Sequence, residues 1–470
     1  MDDRRSKRLG ESAGGFRAIT GACGALVLVL ASASAAGATT INVTGTADEN
    51  SSSPSNLICT LREAILAANG NLAVGACPAG TRALDTIVLP VGNYVLTIAG
   101  AGEDLAETGD LDLLGDTEII GAGAATTTID ANGLDRIFEF WANDVSLKVS
   151  GVTLRGGNAT VGTWGGAGGA VCMTGSAPIP PFGYTDCSQC ELTIEDAVVR
   201  NNSAHDGGAG IFDFGSTAPI QIARSTFTQN SSSDVFVIAG QVTATESTFD
   251  SNLDTNSPAL GASGGGITLE RSTVSNNPGG GVAADGFDPP GMGFVFGAIS
   301  VRNSTISGNG VAGVYTGNAS LSILSSTIVA PSTAIGVQAG ASSTFGNTLV
   351  SGLCFPNSST YSQGGNLESP NNYCGFNATG DQVNVADPKL SPLSSYGGPT
   401  KTHALLPGSP AIGAGLAANC PATDQRNIAR PYPTTGNCDV GAYEYTGCGA
   451  SLSVAAFAPV ALVLRRRRRG

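Results

Sequence analysis

The chain has 470 residues, is rich in glycine (66) and poor in charge (13%), and carries a net charge of −14. That length admits two or three ordinary domains or one long repeat array, and the composition excludes long solvated helices in favour of tight, frequently turning β structure. Without the basic leader and the five terminal arginines the body is near −21, which excludes nucleic acid as a partner because phosphate would be repelled.

The first residues have an export layout. Arg4, Arg5, Lys7, Arg8 and Arg17 precede an apolar run from Ala22 to Ala31, and Ala36-Gly37-Ala38 fits a small-residue cleavage site after Ala38. The run is too short to span a bilayer, so a removed signal peptide is expected. In an exported chain, cysteines are read first as disulfides. Cys59 with Cys77, Cys354 with Cys374 and Cys420 with Cys438 form three similarly spaced couples, and those pairings are expected. Cys172, Cys187 and Cys190 are left open. Zinc at Cys187-x-x-Cys190 is disfavoured, because no second such pair and no nearby His is present.

Ile41 to Val43 reads as a strand. Next comes the one convincing helix, Cys59-Thr60-Leu61-Arg62-Glu63-Ala64-Ile65-Leu66-Ala67-Ala68-Asn69-Gly70. Thr60 and Glu63 form a capping box, and Leu61, Ala64, Ile65 and Ala68 make one apolar face. Cys-Thr-Leu-Arg-Glu-Ala-Ile resembles the CSLREA motif of exported bacterial repeat proteins, and Asp85-Thr-Ile-Val-Leu-Pro and Gly109-Asp-Leu-Asp-Leu-Leu continue the resemblance. It implies an N-terminal cap on a right-handed β-helix and no particular activity. Asp110 and Asp112 alternate with Leu111 and Leu113, which predicts a strand with its carboxylates facing water. Asp110, Asp112 and Asp116 are also the candidates for calcium, the one ion the sequence suggests.

From there one phrase recurs: Arg224-Ser-Thr-Phe-Thr-Gln-Asn230, Glu246-Ser-Thr-Phe-Asp-Ser-Asn252, Arg271-Ser-Thr-Val-Ser-Asn-Asn277 and Asn303-Ser-Thr-Ile-Ser-Gly-Asn309, with weaker copies on both sides. A period in the low twenties signals a solenoid. Taking Leu154, Val199, Phe227, Phe249, Val274, Ile306, Ile328 and Leu349 as position zero, the residues seven and five positions earlier are apolar in every copy but the last, which has Ser342 and Thr344. Positions −7 and −5 share one strand face, but position zero has the opposite parity, so a corner is expected between them, at the Ser-Thr pair. Position +3 is Asn in five copies (Asn202, Asn230, Asn252, Asn277, Asn309), which predicts an asparagine ladder from coil to coil. The paired Gly-Gly-hydrophobic and Phe-x-x-Asn phrases are also similar to the repeats of polymorphic outer-membrane proteins. The fold expected is all-β: a right-handed parallel β-helix with a short capping helix near its N-terminus.

Insertions interrupt the repeat. The largest lies between Gly156 and Glu191 and holds Trp164, Phe182 and Tyr184, candidates for stacking on sugar rings. For catalysis the candidates are His205, Asp206 and Asp213. Beyond Val350 the periodicity fades. The series Asp387-Pro-Lys-Leu-Ser-Pro-Leu, Gly397-Gly-Pro-Thr-Lys-Thr-His and Cys438-Asp-Val-Gly-Ala-Tyr-Glu-Tyr resembles the choice-of-anchor Q region that closes such proteins, with Gly413 where that family tends to have Asp. Arg426, Arg430, Asp439 and Glu444 are read as structural ion pairs. The end, Gly447-Cys448-Gly449, an apolar run and Arg465 to Arg469, resembles a myxosortase-type sorting tail, which implies Cys448 as the processing point.

The expected divisions are a signal peptide at 1–38, a cap and first coils at 39–130, β-helix repeats at 131–355, a closing region at 356–446 and a sorting or membrane tail at 447–470. The function expected is that of a monomeric, exported protein held at the cell surface or outer membrane, acting without catalysis in adhesion, polysaccharide contact or envelope structure. The alternative is a carbohydrate-active enzyme, a polysaccharide lyase or glycoside hydrolase.

Overall fold

Each coil turns at residues that leave the ordinary backbone regions. At position −3 of the phrase, Asp196, Arg224, Glu246, Arg271, Asn303, Ser325 and Asn347 all have φ between 47° and 51°. This left-handed conformation costs an L-residue roughly 1–2 kcal/mol. The corner therefore lies one residue before the Ser-Thr pair rather than at it. It reverses the parity of the strand, so positions −7, −5 and 0 all face inward. The corner backbone stays paired: the N–H groups of Arg224, Glu246 and Arg271 donate to carbonyls of the next coil at 3.0–3.2 Å.

The serine after each corner supplies a ladder that the sequence reading did not anticipate. Ser225 N–H donates to Ser247 Oγ (3.2 Å), Ser247 N–H to Ser272 Oγ (3.1 Å), Ser272 N–H to Ser304 Oγ (3.0 Å) and Ser304 N–H to Ser326 Oγ (3.2 Å). The corner residues stack outside it with alternating charge: Arg224 pairs with Asp196 at 2.8 Å and Arg271 with Glu246 at 3.1 Å. The asparagine ladder is present as expected. Asn202 Nδ2 donates to Asn230 Oδ1 at 3.2 Å, and Asn277 Nδ2 to Asn309 Oδ1 at 3.0 Å.

The computed structural model describes residues 37–50, 57–140, 144–159, 166–174, 187–288, 294–338, 340–356 and 359–447. Within them the chain is a right-handed parallel β-helix with three strand ladders. The first is a 12-stranded sheet running from Thr40–Asn42 to Thr360–Ser362. The second carries the phrase strands, such as Thr226–Thr228 and Thr248–Asp250, and the third includes Val171–Met173, Ile211–Phe214, Val235–Ile238 and Leu260–Ser263. The long strands Thr327–Val337 and Leu349–Phe355 join the second and third ladders into one 19-stranded sheet.

Inward residues stack on their equivalents one coil away. Leu192, Ile220, Val242 and Ile267 are buried in one column, and Phe227 and Phe249 stack with ring centroids 5.1 Å apart in another. Each such side chain contributes about 1.5–3 kcal/mol when buried, summed coil by coil. The last coil is out by one in the sequence register: Ile328 pairs with Val350, not Leu349, and Ile323 with Phe345. Its −5 position is therefore the buried Phe345, which mends the pattern there, while −7 is the buried Ser343, opposite Leu321 and bonded through Oγ to Thr360 Oγ1 at 2.8 Å. Leu349 and Val350 are both apolar, so hydrophobicity alone could not choose between them.

The helix Leu61–Gly70 carries the expected capping box at its N-terminus, with Thr60 and Glu63 each bonding the other's backbone N–H. At the other end the closing region packs over the phrase strands of the later coils. Gln425 Nε2 donates to Thr273 Oγ1 (3.0 Å), Thr305 Oγ1 donates to Gln425 Oε1 (2.6 Å), and His403 Nε2 meets Ser307 Oγ at 2.8 Å. Outward threonines are therefore buried there, whereas Thr226 and Thr248 on uncovered coils are half-buried. Arg426 pairs with Asp424 at 2.7 Å and lies over the Tyr443 ring, while Arg430 faces Glu444 at 3.6 Å. Gly413 has a φ of 63°, and its N–H donates to Asp439 at 2.6 Å. Cys59–Cys77, Cys354–Cys374 and Cys420–Cys438 are disulfides as expected. Cys187 and Cys190 close on each other, and Cys172 is a buried free thiol.

Candidate functional site

One outward column runs along the third ladder. Its members, in register from coil to coil, are Asp112, Glu139, Cys172, Phe212, Phe236, Gly261, Ala283 and Tyr315. The column changes character along its length. Asp112, Glu139, Cys172 and Phe212 are buried on the outside of the sheet, and Ala167, Phe214 and Ile238 cluster over Cys172 and Phe212. Phe236, Ala283 and Tyr315 are half-exposed, so the column opens into a groove where that cover ends.

The groove has two connected parts. The first, about 480 Å³, is lined by His205, Asp206, Ser231, Phe236, Asp254 and Pro258, among others. The second, about 420 Å³, shares Asn256 and Pro258 with it and continues past Ala283 to Val311 and Tyr315. Glycine places the rings. A Cβ on Gly261 would come within 2.6 Å of the Phe236 ring, and one on Gly336 within 3.1 Å of the Tyr315 ring. Phe236 also stacks on Phe212, with centroids 6.2 Å apart and planes at 19°. Each ring thus lies against the sheet, over backbone that has no side chain. Coils repeat at about 4.8 Å, so Phe236 and Tyr315, three coils apart, stand roughly 14 Å apart, the span of a short oligosaccharide.

The polar lining is acidic and hydroxylic. His205 Nδ1 meets Asp206 Oδ1 at 2.7 Å in the turn at one end, with the His side chain 79% exposed. Asp254, Asn256 and Ser257 lie further along, and neither Lys nor Arg occurs among the described lining residues. Aromatic faces flanked by a few directed hydrogen-bonding groups suit a carbohydrate.

The other sequence candidates lie elsewhere. Asp213 does not share the groove: it pairs with Met173 and Val237 on an inward row and is fully buried. Its Oδ2 accepts from Ser216 Oγ at 2.7 Å, and burial pushes its carboxyl up to about 7. Trp164, Phe182, Tyr184 and Cys448 lie outside the described residues. Ala38 is exposed at the start of the described chain. Asp110 and Asp112 do not face water: both are buried, because the segment 96–110 and the capping helix cover that face of their strand. Asp116 is separate from them, accepting from the backbone N–H (2.9 Å) and Oγ (3.0 Å) of Ser146. The residue that joins Asp110 and Asp112 is Glu139, and Arg136 stands beside it at 2.5 Å. Burial pushes the neighbouring Cys172 thiol up to about 12, so it stays neutral.

Sequence reasoning missed Phe236, Tyr315, Glu139 and Arg62. Val235-Phe236-Val237 is apolar throughout and Val314-Tyr315-Thr316 is nearly so, so the period of two sets the aromatic apart from its neighbours without saying which side is outward. What lies outside the sheet at that point is not written in the alternation.

No family model matches the chain, and neither does any curated protein. Among solved structures it is similar to the pectate lyase Pel9A, at 14% identity and a TM-score of 0.49, over 86% of this chain and 96% of that one. It is also similar to a PL6 alginate lyase solved with a trisaccharide (12%, TM-score 0.31, 83% and 95%). A third is the catalytic unit of a GH87 α-1,3-glucanase from Streptomyces thermodiastaticus (14%, TM-score 0.29, 71% and 69%). The fold assignment rests on the strand pairing itself.

Proposed function

We propose that this chain is an exported, surface-held β-helix that contacts neutral glycans, without cleaving them, through the groove between His205 and Tyr315. The observation that carries the reading is the pair of half-exposed rings, Phe236 and Tyr315, laid over Gly261 and Gly336 in one open groove. Asp206 and Asp254, with no described Lys or Arg beside them, would repel uronate chains and leave neutral ones as the fitting class. Export is supported by four disulfides, which persist in oxidising compartments, and by the leader layout. The CSLREA-like and choice-of-anchor-like stretches fit the same placement, as ends of a solenoid that need covering. Cys448 would hold the chain at the surface, and a Cys448→Ala variant released into the medium would support that role.

The test is affinity electrophoresis of the mature chain in gels containing neutral or uronate-rich polysaccharides. Retention by a neutral glycan, reduced at least fivefold in Phe236→Ala and Tyr315→Ala with little change in Tm, is expected. Retention by none of them, or by uronates alone, overturns the reading.

The His205–Asp206 pair at the end of the groove favours a second reading, hydrolysis of a bound neutral glycan with His205 as general base or acid. New reducing ends that vanish in His205→Ala would establish it. Binding without new ends would sink it.

A further inference from the structure

The buried head of the outward column is an acidic cluster with a structural frame around it. Asp110, Asp112 and Glu139 bring one carboxylate oxygen each within 4.8 Å of one another. Asp112 and Glu139 are direct register partners, and Asp110 shares the outward face of the same strand edge. Arg62 of the capping helix is fully buried. It donates to the carbonyls of Ala106 (3.0 Å), Gly109 (2.8 Å) and Asp110 (2.9 Å). Asn69 brackets the far side, donating to Asp112 O at 2.8 Å and accepting from Leu114 N–H at 3.0 Å. Ala106 N–H holds Asp112 Oδ2 at 2.7 Å. The cluster is thus fixed on both sides by one helix.

Its charge does not balance. Arg62 is matched by Asp48 at 2.7 Å, and Asp110, Asp112, Asp135 and Glu139 are all buried around one other described guanidinium, that of Arg136, which lies 2.5 Å from Glu139 and 3.7 Å from Asp110 Oδ2. Asp110 Oδ2 and Asp112 Oδ1 are sealed from solvent with no hydrogen-bond partner among the described residues, and Asp110 and Asp112 are 1% and 0% exposed. A buried carboxylate oxygen without a partner is strongly unfavourable unless a cation or a proton meets it.

We propose that Asp110, Asp112 and Glu139 bind a divalent cation, calcium, that locks the N-terminal cap onto the first coils. The donor set is all oxygen and carries no thiolate or imidazole, which selects a hard cation over zinc. Calcium bonds of 2.3–2.6 Å place oxygens on opposite sides of the ion up to about 5 Å apart, which matches the observed spread. The ion joins elements distant in sequence: the strand Leu111–Leu113 held by the helix, and the strand Phe138–Phe140 of the next coil.

The experiment uses the mature chain, stripped with a chelator and dialysed. Calcium is titrated in calorimetrically, and thermal unfolding is followed with and without it. One ion per chain is expected, with a Tm rise of roughly 3 °C or more at saturation. Asp112→Asn and Glu139→Gln should each weaken uptake at least tenfold and remove the Tm response, and Asp116→Asn should leave both unchanged. Absence of saturable one-to-one uptake by the unsubstituted chain overturns the proposal, whether or not the variants fold. So does an Asp112→Asn chain that keeps the full calcium response. A stripped chain that takes up no calcium and is stabilised by Asp112→Asn would show a protonated acid cluster instead. Glycan retention of the unsubstituted chain is measured separately, so failure here leaves the groove reading standing.

Discussion

Asp112 and Glu139 stand opposite each other on adjacent parallel strands, on the outside of the sheet, yet both are buried. The same column, followed coil by coil, reaches the open rings of Phe236 and Tyr315. One face of one ladder therefore carries both a buried acidic centre and an exposed groove. What separates them is whether another segment of the chain covers that face.

Arg62 is the residue that makes the cover. Its guanidinium serves Asp48 (2.7 Å) and three backbone carbonyls at once, a pattern that needs a planar fork. Arg62→Ala is expected to cost about 3–5 kcal/mol by leaving Asp48 and those carbonyls unpaired. Arg62→Lys should restore only part of that. Chemical unfolding measures the loss, and hydrogen exchange should quicken first at residues 97–113.

Asp234 fills a gap in the asparagine ladder. Asn230 Nδ2 donates to its Oδ1 at 2.7 Å, while Asp234 Oδ2 and Asn252 Oδ1, on neighbouring side chains, are both buried with no hydrogen bond among the described residues. A proton on Asp234 supplies the missing donor, and burial raises this carboxyl well above its ordinary range. Asp234→Asn, which carries an amide donor, should lie within about 1 kcal/mol of the unsubstituted chain at pH 5 and become relatively more stable at high pH. Asp234→Ala should cost about 1–3 kcal/mol throughout. Equal losses for Asn and Ala at pH 9 would argue against a proton there.

Asp213 sets a pH dependence of its own. Its carboxyl titrates at about 7 in the fold, against 3.8 ordinarily, because desolvation outweighs the Ser216 hydrogen bonds. Between those values the folded chain binds the extra proton, so stability falls as pH rises from about 4 to 7 and then levels. The shift corresponds to at most roughly 4 kcal/mol. Asp213→Asn should flatten this part of the profile and stabilise the chain at pH 8, as read by urea unfolding at several pH values.

The serine ladder predicts a graded effect along the solenoid. Ser272 Oγ accepts from Ser247 N–H at 3.1 Å and donates to Glu270 O at 3.0 Å, within a fully buried corner. Ser272→Ala leaves the Ser247 amide unpaired and should cost about 1–3 kcal/mol. The exposed Ser320 serves as a control and should change stability by less than about 0.5 kcal/mol on the same substitution. Thermal unfolding of the two variants side by side gives the comparison.

The repeat period, the inward columns and the asparagine ladder were legible in the sequence, because stacked coils force equivalent positions to share chemistry. Thr60 and Glu63 were legible for a local reason: a capping box closes within four residues. The corner was placed one residue late, since Arg224 and Glu246 carry no sign that they adopt a left-handed backbone. The candidate site was less legible. His205 and Asp206 do border the groove, but the paired rings and Glu139 depend on register between strands 20 to 40 residues apart.

By itself the sequence determined which residues face into each coil, since side chains alternate along a strand and apolar ones must leave water. Only the tertiary structure decided what lies on the outward side. Asp112 and Phe236 stand in one outward column, but Arg62 and the segment it holds bury the first, and no described segment covers the second. Burial on that face is set by chain far away in sequence, and it separates a charge that needs a counter-ion from a ring that can meet a ligand.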